Sequence, residues 1–189
     1  MLRDLVLKNR SYRRFDESVA ISRDTLLELV DLARLSPSGG NMQALKYMLS
    51  CDAETNGRIF PSLAWAGYLK DWDGPVQGER PTAYVVILHD KGIRAKAGVE
   101  PGIVAQTMAL AAVEKGLGCC MIGAIQRETL RSAMCIPEQY EIALVLALGV
   151  PAETVVLDPV GPDGNIKYWR DAVGVHHVPK RALKDLIIG

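Results

Sequence analysis

Apolar residues recur along this chain at two intervals, and the intervals divide it into elements. Leu2, Leu5 and Val6 share one face of a short opening helix that runs into NRSYRRF. Ser22 suits the N-cap of a second helix, in which Leu26, Leu29, Val30 and Ala33 follow the i, i+3, i+4, i+7 rule until Pro37 stops it. KYMLSCD and TAYVVILHD read as strands. The second is β-branched and aromatic with apolar side chains on both faces, as a fully buried strand requires. Between the two, Asn56 to Pro81 is rich in Gly, Pro and Trp and reads as a short helix plus loop.

GIVAQTMALAAVEK, from Gly102 to Lys115, has the length and propensity of a helix but is apolar round most of its circumference. Such a helix is buried on nearly all sides, so it is either central or pressed against a second subunit. GLGCCMIGAI follows as a glycine-marked helix end entering a strand. A polar helix from Arg127 to Met134 comes next, then the strand EIALVLALG and an extended tail with a turn at GPDGN. VPKRALKDLII reads as a strand entry or a short helix. No linker, repeat or low-complexity tract intervenes, so one domain spanning residues 1–189 is expected. Strands separated by helices argue α/β or α+β layers, with strand order left open.

Composition narrows the function. The chain is 49% hydrophobic and 23% charged, the proportions of a folded protein. Lys+Arg and Asp+Glu balance at 22 each, which argues against a nucleic-acid partner. The longest clean apolar run, Ile142 to Val150, falls far short of the roughly 20 residues of a spanning helix, and no membrane partner is expected. The N-terminus is too charged for a secretory signal. Cys51, Cys119, Cys120 and Cys135 have neither zinc spacing nor disulfide density. Read as reduced thiols, they point to the cytoplasm.

Two segments carry candidate chemistry. NRSYRRF gathers Arg10, Ser11, Arg13 and Arg14, donors suited to a phosphate, although a solvated basic face at a helix end is the simpler reading of that segment alone. SPSGGNMQ, from Ser36 to Gln43, combines turn formers with two amides just before a strand. An amide offers a donor and an acceptor together, which matches the edge of a neutral heterocycle better than a phosphate. GLGCCMIG is no dinucleotide fingerprint: Met121 stands where the third glycine belongs, and the glycines follow a helix. His89, His176 and His177 lack partners at ligand spacing, so no metal is expected, and the adjacent pair should point to opposite faces of a strand.

Taken in order, these segments make the chain resemble the FMN-dependent nitroreductase family, in its shorter form, over nearly its full length. RSYRRF resembles the family's basic opening, and ARLSPSGGNMQ is similar to its Ala-x-x-x-Pro-Ser-x-x-Asn-x-Gln turn. AQTMALAAVEKGLGCCMIGAI resembles its central helix and Gly-Leu-Gly segment, ALVLALGVPAE its strand end, and VPKRAL its closing basic pair. Asn9, Ala44 and Gly123 depart from the family pattern, which often has Arg, Pro and an acid there.

The resemblance implies an α+β, three-layer nitroreductase-like fold: a central, mostly antiparallel sheet flanked by helices, in a homodimer with one FMN at each of two subunit interfaces. It assigns Arg10, Ser11 and Arg13 to the phosphate and ribityl side, with Arg13 also near the pyrimidine edge. Pro37, Ser38, Asn41 and Gln43 would meet the flavin ring, Met121, Ile122 and Gly123 would pass beside it, and Lys180 and Arg181 would close on the phosphate. The implied activity moves hydride from NADH or NADPH through the flavin to a nitroaromatic, quinone or other small acceptor by a ping-pong cycle, with no dedicated catalytic side chain. The same scaffold also serves reductive dehalogenation, oxygen-dependent flavin chemistry or non-catalytic FMN binding. Trp65, Tyr68 and Trp72 are candidate lids over the ring or, equally, core residues.

Overall fold

The computed structural model describes all 189 residues. Helix α1 (Leu2–Lys8) leads into the two-residue strand β1 (Phe15–Asp16). The hydroxyl of Ser22 then caps α2 (Arg23–Arg34), accepting the Thr25 N–H at 3.1 Å. The remaining elements of the body are β2 (Leu45–Ser50), α3 (Ala53–Ile59), β3 (Ala83–Asp90), α4 (Glu100–Glu114), β4 (Gly118–Ile122), α5 (Arg127–Met134) and β5 (Tyr140–Pro151). The main sheet runs β2-β3-β5-β4, antiparallel throughout, with β1 pairing the far end of β5.

Strand periodicity separates two apolar layers, one on each face of this sheet. Val85, Ile87, Leu146 and Leu148 pack against Leu26 and Leu29 of α2 and Ala105 and Met108 of α4. Tyr84, Val86, Val145 and Ala147 turn the other way, toward Ile59 of α3 and Leu130 of α5. Adjacent Cys119 and Cys120 divide between the layers. A bulge shifts the register from Ile87 opposite Leu144 to Leu88 opposite Ile142. It allows Leu144 and Ile142, two apart on one strand, to face opposite layers.

Two glycines set how closely the N-terminal segment approaches the sheet. A Cβ on Gly149 would stand 2.7 Å from Phe15 Cδ1, and one on Gly118 would stand 2.8 Å from Tyr12 Cδ2. The tail differs from its expected extended form. β6 (Val155–Pro159), β7 (Trp169–Arg170) and β8 (His176–Lys180) make a second sheet, with β6 parallel and β7 antiparallel to β8. Strands this short and polar carry no readable alternation.

α4 is central but not fully enclosed. Val104, Ala105, Met108, Ala109 and Ala112 are buried, while Gly102, Ile103 and Gln106 form an exposed stripe that continues along half-buried Leu110 and Val113. α1 beside it exposes Leu2, Val6 and Leu7. No helix is long and apolar enough to cross a membrane.

Candidate cofactor site

The residues singled out in the sequence gather in two clefts. The first, of about 340 Å³, is lined by Arg10, Ser11, Arg13, Met121 and Lys180, together with Gln106, Tyr168 and His176. Three cations and no carboxylate face this space. Arg10 donates to the Val6 carbonyl at 2.6 Å, one of the unpaired carbonyls at the end of α1, while its Nε is buried without a partner. Cys119 also borders the cleft, but burial pushes its thiol well above the usual range, so it is a small wall and not a nucleophile.

The second cleft, of about 230 Å³, is lined by Pro37, Ser38 and Gln43 along with Lys46, Tyr47, Glu100 and Val104. Its turn is strained: Asn41 and Gln43 sit at φ of 53° and 52°, a left-handed region that non-glycine residues seldom occupy. The Ser38 hydroxyl accepts the Gln43 N–H at 2.9 Å, and the Gln43 side-chain amide donates to the Asn41 carbonyl at 3.2 Å. Gly39 is closely approached: a Cβ there would lie 3.2 Å from Arg94 Nη1, so the guanidinium would have to give way slightly.

Helix α4 stands between the clefts. Val104 faces the second and Gln106 the first, and two residues on an α-helix are about 200° apart. No residue lines both clefts. Within one chain, therefore, Arg10, Ser11, Arg13, Met121 and Lys180 come together, as do Pro37, Ser38 and Gln43, but the groups do not join. Exposed Asn41 follows the second group. Ile122 turns its side chain into the α3/α5 layer, Gly123 is exposed beyond it, and exposed Arg181 lies just outside the first cleft.

The model described as Nitroreductase family matches residues 6–150, well over half of the chain. The chain belongs to the nitroreductase family. It is 25% identical over 175 residues to YodC of Bacillus subtilis (strain 168), a candidate NAD(P)H nitroreductase, covering 76% of this chain and 87% of that one. Solved nitroreductase structures share the fold. A family protein from Streptococcus pneumoniae TIGR4 has a TM-score of 0.69 at 14% identity, covering 86% of this chain and 96% of its own. An FMN-dependent nitroreductase from Clostridium difficile R20291 has a TM-score of 0.63 at 20% identity, covering 79% and 87%.

Several residues around these two clefts escaped the sequence reading. Glu153, with its side chain 1% exposed, accepts the backbone N–H groups of Arg13 and Arg14 and pairs with Arg170 at 2.9 Å. Glu100 accepts the Gly39 N–H at 2.8 Å, the Ser38 hydroxyl at 3.2 Å and Arg94 at 2.6 Å. Tyr168 lies under Arg13, with Cζ 4.8 Å from the ring centre, and its hydroxyl accepts the Tyr68 N–H at 3.3 Å. Of the candidate lid aromatics, Tyr68 reaches the cleft wall through Tyr168. Trp72 stacks under Arg170, and Trp65 is a core residue beside Phe60.

Proposed function

We propose that the protein is an FMN-dependent oxidoreductase that transfers hydride from NADH or NADPH to a small electron acceptor, such as a nitroaromatic or quinone, in a ping-pong cycle. The observation carrying this reading is the carboxylate-free cleft of Arg10, Ser11, Arg13 and Lys180 on a nitroreductase chain. The planar forks of two arginines, a hydroxyl and an ammonium suit a phosphate monoester. The unpartnered Arg10 Nε lies in the same cluster of donors. The turn that borders the second cleft suits a flat neutral heterocycle, because Gly39 and Gly40 leave its backbone bare and it carries two amides, of which Gln43 lines the cleft. The FMN-dependent neighbour and the NAD(P)H in the name of YodC's activity support the same choice of cofactor and co-substrate.

Bound there, FMN would supply the electron-transfer chemistry, and the chain would bind, orient and tune it. Arg10, Ser11, Lys180 and Arg181 would hold the phosphate. Pro37, Ser38, Asn41 and Gln43 would meet the ring edge, with Met121, Ile122 and Gly123 running alongside. Arg13 would stabilise negative charge on the pyrimidine edge after reduction. Since α4 separates the clefts, each site would be assembled from the first cleft of one copy and the second of its partner. The apolar stripe of α4 and the exposed face of α1 give a homodimer a surface to bury. As a single reduced-thiol domain it would work in the cytoplasm.

An absorption spectrum of the purified protein tests the cofactor. Flavin bands, or their appearance on titration with FMN, are expected. A colourless protein that binds no added FMN would end this reading.

A further inference from the structure

We propose that His176 is the positioning residue of this site: as a neutral imidazole it accepts one N–H of Arg13 and so fixes how the guanidinium faces the cleft. The proposal deepens the reading above and rests on Arg13 being a cofactor contact. His176 opens β8 and is 0% exposed, with its Nε2 3.2 Å from Arg13 Nη1. A guanidinium only donates, so Nε2 must present its lone pair and the proton must sit on Nδ1.

The same Nη1 donates to the Ser11 carbonyl at 3.2 Å, and the Tyr168 ring lies beneath the guanidinium and 5.2 Å from the imidazole. Arg13 is thus held from three sides. Both of its side-chain hydrogen bonds within the chain use Nη1, so Nε and Nη2 remain available to the cleft.

The groups around His176 keep it uncharged. Arg13 before β1, Arg170 on β7 and His177 beside it on β8 disfavour a second proton, and Glu153 after β5 favours one. Burial is the largest influence, and with these charges it pushes the imidazole down to about 4. A protonated His176 would set a cation against Arg13 and remove the acceptor that holds it. His177 acts on His176 only through its charge, because its own ring nitrogens bond Asp158 and Asp171 on the other side of the strand.

The test combines spectroscopy of the flavin-free protein with FMN titration. Nitrogen-15 NMR should show His176 as the Nδ1–H tautomer, not titrating between about pH 5.5 and 8. In His176→Leu the Arg13 Nε–H should become mobile, whereas in His176→Asn, which keeps an acceptor, it should stay ordered. FMN affinity should fall about tenfold or more in His176→Leu and largely recover in His176→Asn, with thermal melts confirming that both variants fold. The wild type should lose affinity toward pH 4.5, and the Leu variant should lack that extra acid-side loss. An Nε2–H tautomer, titration near the ordinary value of 6.5, or Leu and Asn variants that bind FMN alike would overturn the proposal. If the NMR results hold but the wild type binds no FMN, the role of His176 toward Arg13 stands and the cofactor reading alone fails.

Discussion

Glu153 and Arg170 form an ion pair at 2.9 Å that is almost closed to solvent, and the other carboxylate oxygen accepts the backbone N–H groups of Arg13 and Arg14. One buried acid thereby ties the tail sheet to the segment that bears Arg10 and Arg13. Glu100 does the same for the second cleft, pairing with Arg94 at 2.6 Å while it holds Gly39 and Ser38. Each cleft is thus shaped by a carboxylate: Glu153 acts from behind the first, and Glu100 forms part of the wall of the second.

Removing the Glu153 carboxylate should therefore damage stability and site together. Glu153→Ala leaves Arg170 buried without its partner and two backbone donors without an acceptor, a loss of about 3–5 kcal/mol. Glu153→Gln, which keeps an acceptor oxygen, should lose clearly less. Urea unfolding of both variants checks the order; equal losses would mean that the acceptor oxygen kept by Gln contributes nothing and that the charge alone carries the effect.

Strain at Gln43 predicts a separation of stability from binding. Its φ of 52° costs a side-chain-bearing residue energy that glycine is spared, while its amide returns one bond to Asn41. Gln43→Gly should change the unfolding free energy by less than about 1 kcal/mol, since the two effects oppose. FMN affinity should nonetheless fall about tenfold or more. Unchanged affinity would remove Gln43 from the site.

His177 predicts an alkaline-side dependence of stability. Its imidazole is held above 6.5, first by the bond to Asp158 at 2.8 Å and, after an opposing effect of desolvation, by Asp171. A raised folded value means that its contribution is complete below pH 6.5 and fades as pH rises through that raised value. Wild type should thus melt above His177→Asn near pH 6 and converge with it in mild alkali. His176 works in the opposite sense: its lowered value costs stability as pH falls from 6.5 toward about 4. Melting curves at several pH values for the two single variants separate these effects.

The layers of the fold were legible because their signals are local. The i, i+3, i+4 spacing in α2, the Ser22 cap and the wholly apolar β3 each announce an element within a few residues. The tail sheet was hidden because β7 is two residues long and because β6 pairs in parallel with β8 across the whole intervening segment, β7 included. The residues proposed for the cofactor were singled out through the order of short motifs, not through any one of them. Glu100 and Glu153 were not, since a glutamate at a helix start or just past a strand end reads as surface charge until the partners that bury it are brought from 6 and 17 residues away. The mostly apolar text of α4 predicted burial on nearly all sides, in the centre or against a second subunit, and the stripe at Gly102, Ile103 and Gln106 marks where the chain alone does not provide it.

If one FMN is gripped by different halves of two copies, two defective variants should repair each other when mixed. A variant with Arg10→Ala and Lys180→Ala, and another with Asn41→Ala and Gln43→Ala, should each bind FMN poorly. Unfolded and refolded together in equal amounts, they should recover about a quarter of the wild-type sites, because half of the dimers are mixed and each of those restores one site of two. A mixture that binds no more FMN than the separate variants would contradict the shared site.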